Sequence, residues 1–253
     1  MQIYNALIIG CGYASLGYAA AIGNAVICEE QQICDTGFYF PLRSFKHIPY
    51  TTKTEEGAAL EAVFDELSLF SSHEQNTNGF ECAICKYILK TSTEVLLKSR
   101  VVDVKRQSDG IFDVTLSTNE GLIHRFAKEV LRAENISEKK RVTVLFTTKN
   151  IERDRALLLS TFRGADIEGA FYKDRFAIHI NSQGLDENTV KVWIYNKWKS
   201  IATEAKIICI APIIYGDGVA NNPLCDLNYD NPLKAFEAGF FYAKEKTNDF
   251  FLS

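Results

Sequence analysis

Gly10-Cys11-Gly12 lies between an apolar run, Asn5-Ala6-Leu7-Ile8-Ile9, and a small-residue segment from about Ala14 to Ile22. Gly23-Asn24 breaks that segment, a second apolar run follows at Ala25-Val26-Ile27-Cys28, and Glu29 closes it. A glycine leaving a strand permits a tight turn, and a second glycine lets the backbone come close to a diphosphate. The amides of Tyr13 and Ala14 open the helix, where unpaired N–H groups and a partial positive charge favour an anion. A carboxylate at the end of the second strand accepts hydrogen bonds from a ribose diol. The spacing therefore describes a βαβ dinucleotide site, with Gly10, Gly12, Tyr13, Ala14 and Ser15 around the diphosphate and Glu29 on the ribose. Ser15 stands where a third glycine is usual, with Gly17 following it. Its side chain is small enough for close packing, and its hydroxyl could itself reach a phosphate. The other reading of the same residues is a buried βαβ unit that holds no ligand.

Further along, Gln31 to Arg43 forms an unusually aromatic loop with Gly37 and Pro41. A dinucleotide lying across the sheet would bring this loop beside its phosphates and its second ring system. Arg43 is then a candidate for diphosphate or ring contact, with a solvated surface arginine as the alternative. Lys46 and His47 follow without a context that assigns either a role. Cys82-Ala83-Ile84-Cys85 has the spacing of a redox dithiol or half of a zinc site. No second pair or histidine cluster stands at metal spacing, so no metal is expected and ordinary packing on a helix is the favoured reading. No His, Cys or Tyr has a context that marks it as a catalytic acid or base, and no catalytic residue is assigned.

The elements that must position these groups follow from periodicity. Thr54 to Phe70 reads as a helix with a polar start and Leu60, Val63, Phe64 and Leu67 at helical spacing. Phe80 to Leu89 reads as a second, with Phe80, Ile84, Ile88 and Leu89 on one face. Strands are expected at Glu94–Leu97 and Arg100–Val104. The Ser108-Asp109-Gly110 turn leads to an alternating strand, Ile111–Leu116, and Asn119-Glu120-Gly121 to Leu122–Phe126. Another strand is expected at Lys128–Leu131. This is a parallel strand followed by a small antiparallel meander. From Arg141 the texture changes: a strand at Arg141–Phe146, a helix at Glu152–Phe162, then strands at Phe176–Ile180 and Val190–Tyr195. Trp193, Tyr195, Phe171 and Tyr172 could line a substrate pocket, although such aromatics are more often core. Ala205–Ile210 reads as a buried strand returning to the first unit. It is followed by Tyr215-Gly216-Asp217-Gly218 and a helix at Asn231–Gly239 with Pro232 at its start.

This order of strand, Gly-x-Gly, helix, strand-Glu, VLLKSRVVDV, an SDG hairpin, AKEVLRAEN and a late Gly-Asp before a closing helix resembles the two-dinucleotide-binding-domain flavoproteins, the FAD-dependent oxidoreductases. The resemblance implies an α/β fold: a Rossmann-like FAD-binding domain with a parallel central sheet and a small antiparallel meander, plus a smaller α+β second lobe. It implies a discontinuous first domain, 1–138 with 203–253, and a substrate or cap domain, 139–202. It also implies that the backbone at Val102 or Val101 meets the adenine, and that Gly216-Asp217 places its Asp on the ribityl chain. Where the family ends a strand in Ala-Thr-Gly, this chain has Arg132-Ala133-Glu134-Asn135. No separate nicotinamide fingerprint is present.

Composition bounds the remainder. A chain of 253 residues is long enough for a large core or two intimate lobes. A net charge of −4 offers no electrostatic case for nucleic acid or an anionic membrane. No apolar run approaches a membrane span, and no basic region precedes the first apolar run, so neither a membrane segment nor a signal peptide is expected. The seven cysteines, an odd number, suggest free thiols in a reducing compartment and a cytoplasmic location. The first reading is an FAD-dependent oxidoreductase acting on a small molecule, with a redox partner protein or a second copy of the chain left open as partners. The alternatives are a non-catalytic module that binds a dinucleotide or a partner, and an NAD(P)-dependent dehydrogenase.

Overall fold

The computed structural model of the chain describes residues 2–32, 34, 50–69, 78–91, 93–133, 140–162, 166–172, 174–182, 184–215 and 222–251. Arg43, Lys46, His47, Gly216 and Asp217 lie outside the described residues.

The chain opens with a short strand β1 (Ile3–Tyr4), then β2 (Ala6–Ile9), helix α1 (Tyr13–Ile22) and β3 (Ala25–Glu29). Helices α2 (Glu55–Glu66) and α3 (Asn78–Leu89) follow, then β4 (Glu94–Leu97), the strands β5 (Arg100–Arg106), β6 (Phe112–Thr118) and β7 (Gly121–Ala127), and β8 (Val130–Arg132). Strand β9 (Lys140–Thr147), helix α4 (Ile151–Thr161), strands β10 (Asp166–Tyr172) and β11 (Arg175–Asn181), helix α5 (Glu187–Lys199) and strand β12 (Lys206–Tyr215) come next. A 3-10 turn at Asp226–Asn228 precedes the closing helix α6 (Pro232–Phe251).

Strands β4-β3-β2-β8 make an all-parallel sheet. Every residue of β2 and β3 is buried, which is why both read as unbroken apolar runs rather than alternating ones. Strands β5, β6 and β7 form the antiparallel meander, with β1 pairing parallel to β7. Tyr4, Leu7, Val26, Cys28, Val114, Leu116 and Ala127 form the cluster between meander and parallel sheet. A mixed α/β fold with a Rossmann-like parallel sheet and a small meander is thus present as expected.

Helix α1 is buried along most of its length and packs closely on α6. A Cβ at Gly17 would run into the Phe236 carbonyl oxygen, and one at Gly239 into the Ala14 carbonyl oxygen. Glycine is required on both helices because backbone meets backbone. On α2, Thr54 caps the helix by accepting from Gly57 N–H at 2.9 Å. The buried Glu237 of α6 accepts from Thr54 N–H (2.8 Å), Thr54 Oγ1 (3.0 Å), Tyr50 OH (2.8 Å) and Lys53 N–H. On α3, Phe80, Ala83, Ile84 and Tyr87 face the core, while Leu89 turns out to solvent. Cys82 and Cys85 are exposed free thiols. Partial desolvation and the nearby Cys34, Glu81 and Cys82 push the Cys85 thiol up, which disfavours the reactive thiolate.

Strand β10 has no counterpart among the expected elements, and two of the expected elements of the second unit differ. Val190–Tyr195 is helical, not a strand: it lies inside α5, where Asp186 caps the first turn by accepting from Asn188 and Thr189 N–H at 3.0 Å each. The second correction concerns Ala205–Ile210, which does not return to the parallel sheet. In β12, Lys206–Tyr215 runs antiparallel beside β9, giving a sheet of order β10-β11-β9-β12. Val142, Val144, Phe146, Phe176, Ile178 and Ile180 point to the α4/α5 side and pack with Leu158, Val190 and Ile194. Thr143, which alternates with them, shares a 2.7 Å hydrogen bond with His179 Nδ1 across the register. Trp193 packs against Phe162 in this core, ring centroids 5.7 Å apart, whereas Tyr195 is on the outer side of α5. The aromatics read as pocket-lining candidates therefore divide between core and solvent, and the side chains of Phe171 and Tyr172 lie outside the described residues.

Candidate functional site

Strand β2 delivers the chain into Gly10, whose φ of 103° lies in the left-handed region that favours glycine. Gly10 N–H stays in the sheet edge, donating to Cys28 O at 2.8 Å. The next amides turn towards the mouth of the sheet. Cys11 N–H donates to Glu29 Oε2 at 2.8 Å, and Gln31 N–H donates to Glu29 Oε1 at 2.9 Å. Glu29 is buried at 3% exposure and faces the glycine turn. Ser99 N–H donates to Glu29 O (2.9 Å) and Lys98 N–H to Gln31 O (3.0 Å), which brings the start of β5 alongside.

Gly12 precedes α1 with extended backbone, and Ser15 closes a small loop on it. Ser15 Oγ accepts from Gly12 N–H and donates to Gly12 O, both at 2.8 Å. The hydroxyl expected to reach a phosphate is therefore engaged in capping its own helix. The amides of Tyr13 and Ala14 come together as expected, but they already hold an anion. Asp226 Oδ2 accepts from Tyr13 N–H at 2.7 Å and Oδ1 from Ala14 N–H at 2.8 Å. A Cβ at Gly12 would overlap that carboxylate, so the glycine is what lets Asp226 sit against the turn. Nothing near residue 226 in the sequence announces this contact, and Asp226 is the site residue that sequence reasoning missed.

The electrostatics follow. The Cys34 thiol, then burial, then the carboxylates of Glu29 and Asp226 all push the Cys11 thiol well above its ordinary range. Two acidic groups thus converge on the turn. Burial and Asp226 together push the Tyr229 phenol up to about 12.

Val102 sits at a break in register. Val101 pairs with Leu116 and Asp103 with Thr115, which leaves Val102 bulged from β5 and half exposed. Arg43, Gly216 and Asp217 belong to the same expected site but fall outside the described residues. Among the described residues no group of three or more His, Cys, Asp or Glu could hold a metal ion, and no helix is long and apolar enough to cross a membrane.

Tested against FAD, the two ends of the turn differ. Glu29 has the acceptor chemistry a ribose diol needs, although its two oxygens already accept from the Cys11 and Gln31 amides. The start of α1 does not fit a diphosphate as it stands, because Asp226 holds both amides.

No family model matches the sequence, and no curated protein matches it. Among solved structures the chain is similar to AlpK, with 11% identity and a TM-score of 0.54 over 96% of this chain and 62% of that one. It is similar to p-nitrophenol 4-monooxygenase PnpA from Pseudomonas putida DLL-E4, with 14% identity and a TM-score of 0.52 over 97% and 82%. It is also similar to BexE, a protein studied for oxidation during BE-7585A biosynthesis, with 12% identity and a TM-score of 0.53 over 85% and 53%. The chain spans about half the length of BexE. At such identities the likeness is one of fold: a parallel βαβ sheet with a meander and a second, antiparallel sheet.

Proposed function

We propose that the chain is an FAD-dependent oxidoreductase acting on a small molecule, with the adenosine half of the cofactor at the end of β3. Glu29 carries this reading. It is a buried carboxylate closing the second strand of a parallel sheet and turned to a glycine turn by the Cys11 amide. A ribose diol in that position donates to such a carboxylate. Bulged Val102 and Arg43 are the residues assigned to the adenine and to the diphosphate or ring, and Asp217 to the ribityl chain. Flavin, when bound, supplies hydride and single-electron chemistry. The likeness in fold to a p-nitrophenol 4-monooxygenase supports the oxidoreductase class.

The test is calorimetric titration of the apoprotein with FAD and with NAD+. Saturable FAD binding that weakens in Glu29→Ala, with no heat from NAD+, is expected. Tighter binding of NAD+ would move the assignment to a nicotinamide-dependent dehydrogenase, and binding of neither would defeat it.

A second reading is favoured by the Asp226 contact, which fills the amides a diphosphate would need: a module without turnover that holds only a partner or, with the Asp226 turn displaced, a dinucleotide. Bound flavin that dithionite reduces and NADPH does not would select it.

A further inference from the structure

The four consecutive amides from Cys11 to Ala14 all have acceptors within the chain. Cys11 N–H goes to Glu29, Gly12 N–H to Ser15, and Tyr13 and Ala14 N–H to the two oxygens of Asp226. A helix start is where fixed positive charge collects, and here a carboxylate grips it with both oxygens. Asp226 is only 6% exposed. The turn that carries it is itself tied down. Cys225 N–H donates to Asn222 O (3.1 Å), Asn228 N–H to Cys225 O (3.0 Å) and Tyr229 N–H to Asp226 O (3.1 Å). Asn222 Nδ2 donates to Arg132 O at 3.0 Å, fastening the turn to the end of β8. With Asp226 packed against Gly12, no phosphoryl oxygen reaches the Tyr13 and Ala14 amides.

We infer that Asp226 is an internal counter-anion that competes with a nucleoside diphosphate for the start of α1, so that the diphosphate binds only when the Asp226 turn moves off. This inference rests on the nucleotide site proposed above. Two anions cannot share one pair of amides, and the apparent affinity is that of the open form reduced by the fraction of molecules in it. The competition is selective by chemistry. Adenosine has the ribose that Glu29 would take and no phosphate, so Asp226 leaves its binding unaffected. ADP has both.

The probes are ADP and adenosine, titrated into the wild-type chain, into Asp226→Asn, which keeps the shape and removes the charge, and into Asp226→Gly. The expected result is that ADP binds both variants about tenfold or more tightly than it binds wild type, the gain from removing a closed state that holds about nine molecules in ten, while adenosine affinity is the same in all three. Equal ADP affinity in all three, or weaker ADP binding in the variants, overturns the competition and leaves the nucleotide site standing. No binding of either probe to any of the three overturns both. If the variants do not fold, the backbone amide resonances of the wild-type chain decide. Saturating ADP must shift Tyr13, Ala14 and Asp226 together, and a shift at Tyr13 and Ala14 with residue 226 unmoved overturns the inference.

Discussion

Buried carboxylates that accept from backbone amides recur in this chain, and each fixes one junction. Glu237 is the plainest case, since it joins α6 to the segment before α2 through the Tyr50 phenol, the Lys53 amide and the Thr54 amide and hydroxyl. Glu237→Gln places an NH2 among donors, and the expected loss is about 2 kcal/mol, the scale of a hydrogen-bonded buried charge left mispaired. A lower urea midpoint at unchanged slope would register it. The Tyr50 phenol, raised by burial and then by the Glu237 hydrogen bond and charge, should titrate closer to its ordinary value in the variant. Asp154 does similar service at the start of α4. Burial pushes its carboxyl up, but the hydroxyls of Thr148 and Thr203 and the Glu204 amide outweigh burial and hold it below the ordinary 3.8. A depressed folded pKa means stabilisation that is present above the unfolded value and lost as pH falls through the folded one. Acid unfolding followed by circular dichroism should therefore lose one proton-linked contribution in Asp154→Asn below about pH 4. At this scale Gly10, Gly12 and Glu29 were legible because strand-turn-helix spacing is local. Asp226 was not legible, because it meets Tyr13 across 213 positions of sequence and no short-range pattern encodes that pairing.

Helices and strands divide in the same way. The α1–α6 crossing rests on Gly17 and Gly239, each facing a carbonyl of the other helix. Gly17→Ala and Gly239→Ala should each cost about 3 kcal/mol, the upper part of the overpacking range, because the clash is with backbone and cannot be relieved by a rotamer change. Both should lower the thermal midpoint, and Gly23→Ala, with open space around its Cβ position but φ of +60°, should lower it less. Gly17 was visible as an offset glycine in the fingerprint helix, but its partner helix could not be read from it. Helix α5 shows the opposite failure. Val190-Lys191-Val192-Trp193-Ile194-Tyr195 has β-branched and aromatic residues in alternation, and the alternation suggested a strand. The Asp186 cap, the Glu187–Lys191 ion pair at 2.5 Å one turn on, and Val190 with Ile194 on one buried face make it a helix. Caps and tertiary burial outweighed propensity. Strand β12 was recognised as a strand and assigned to the wrong sheet, since an apolar run states its own conformation and not its neighbour.

At the scale of the molecule, three buried clusters among the described residues divide the work. One lies under α1, α2, α3 and α6, one between meander and parallel sheet, and one between the second sheet and α4/α5. The proposed nucleotide touches only the first two. A ligand that binds the folded chain alone stabilises it by mass action, about 2.7 kcal/mol at a hundredfold excess over Kd. Saturating FAD should accordingly raise the temperature at which the parallel-sheet unit melts, and amide exchange should slow in β2, β3 and α1 before it slows in β9 to β12. Slowing confined to β9–β12 would place the ligand on the other unit. The most direct measurement is a diffraction structure of the chain grown with ADP. The expected result is the diphosphate against the amides of Tyr13 and Ala14, the ribose hydroxyls on Glu29, and the Asp226 carboxylate gone from the start of α1. A nucleotide bound elsewhere, or a turn still closed by Asp226 at saturating ADP, would contradict it.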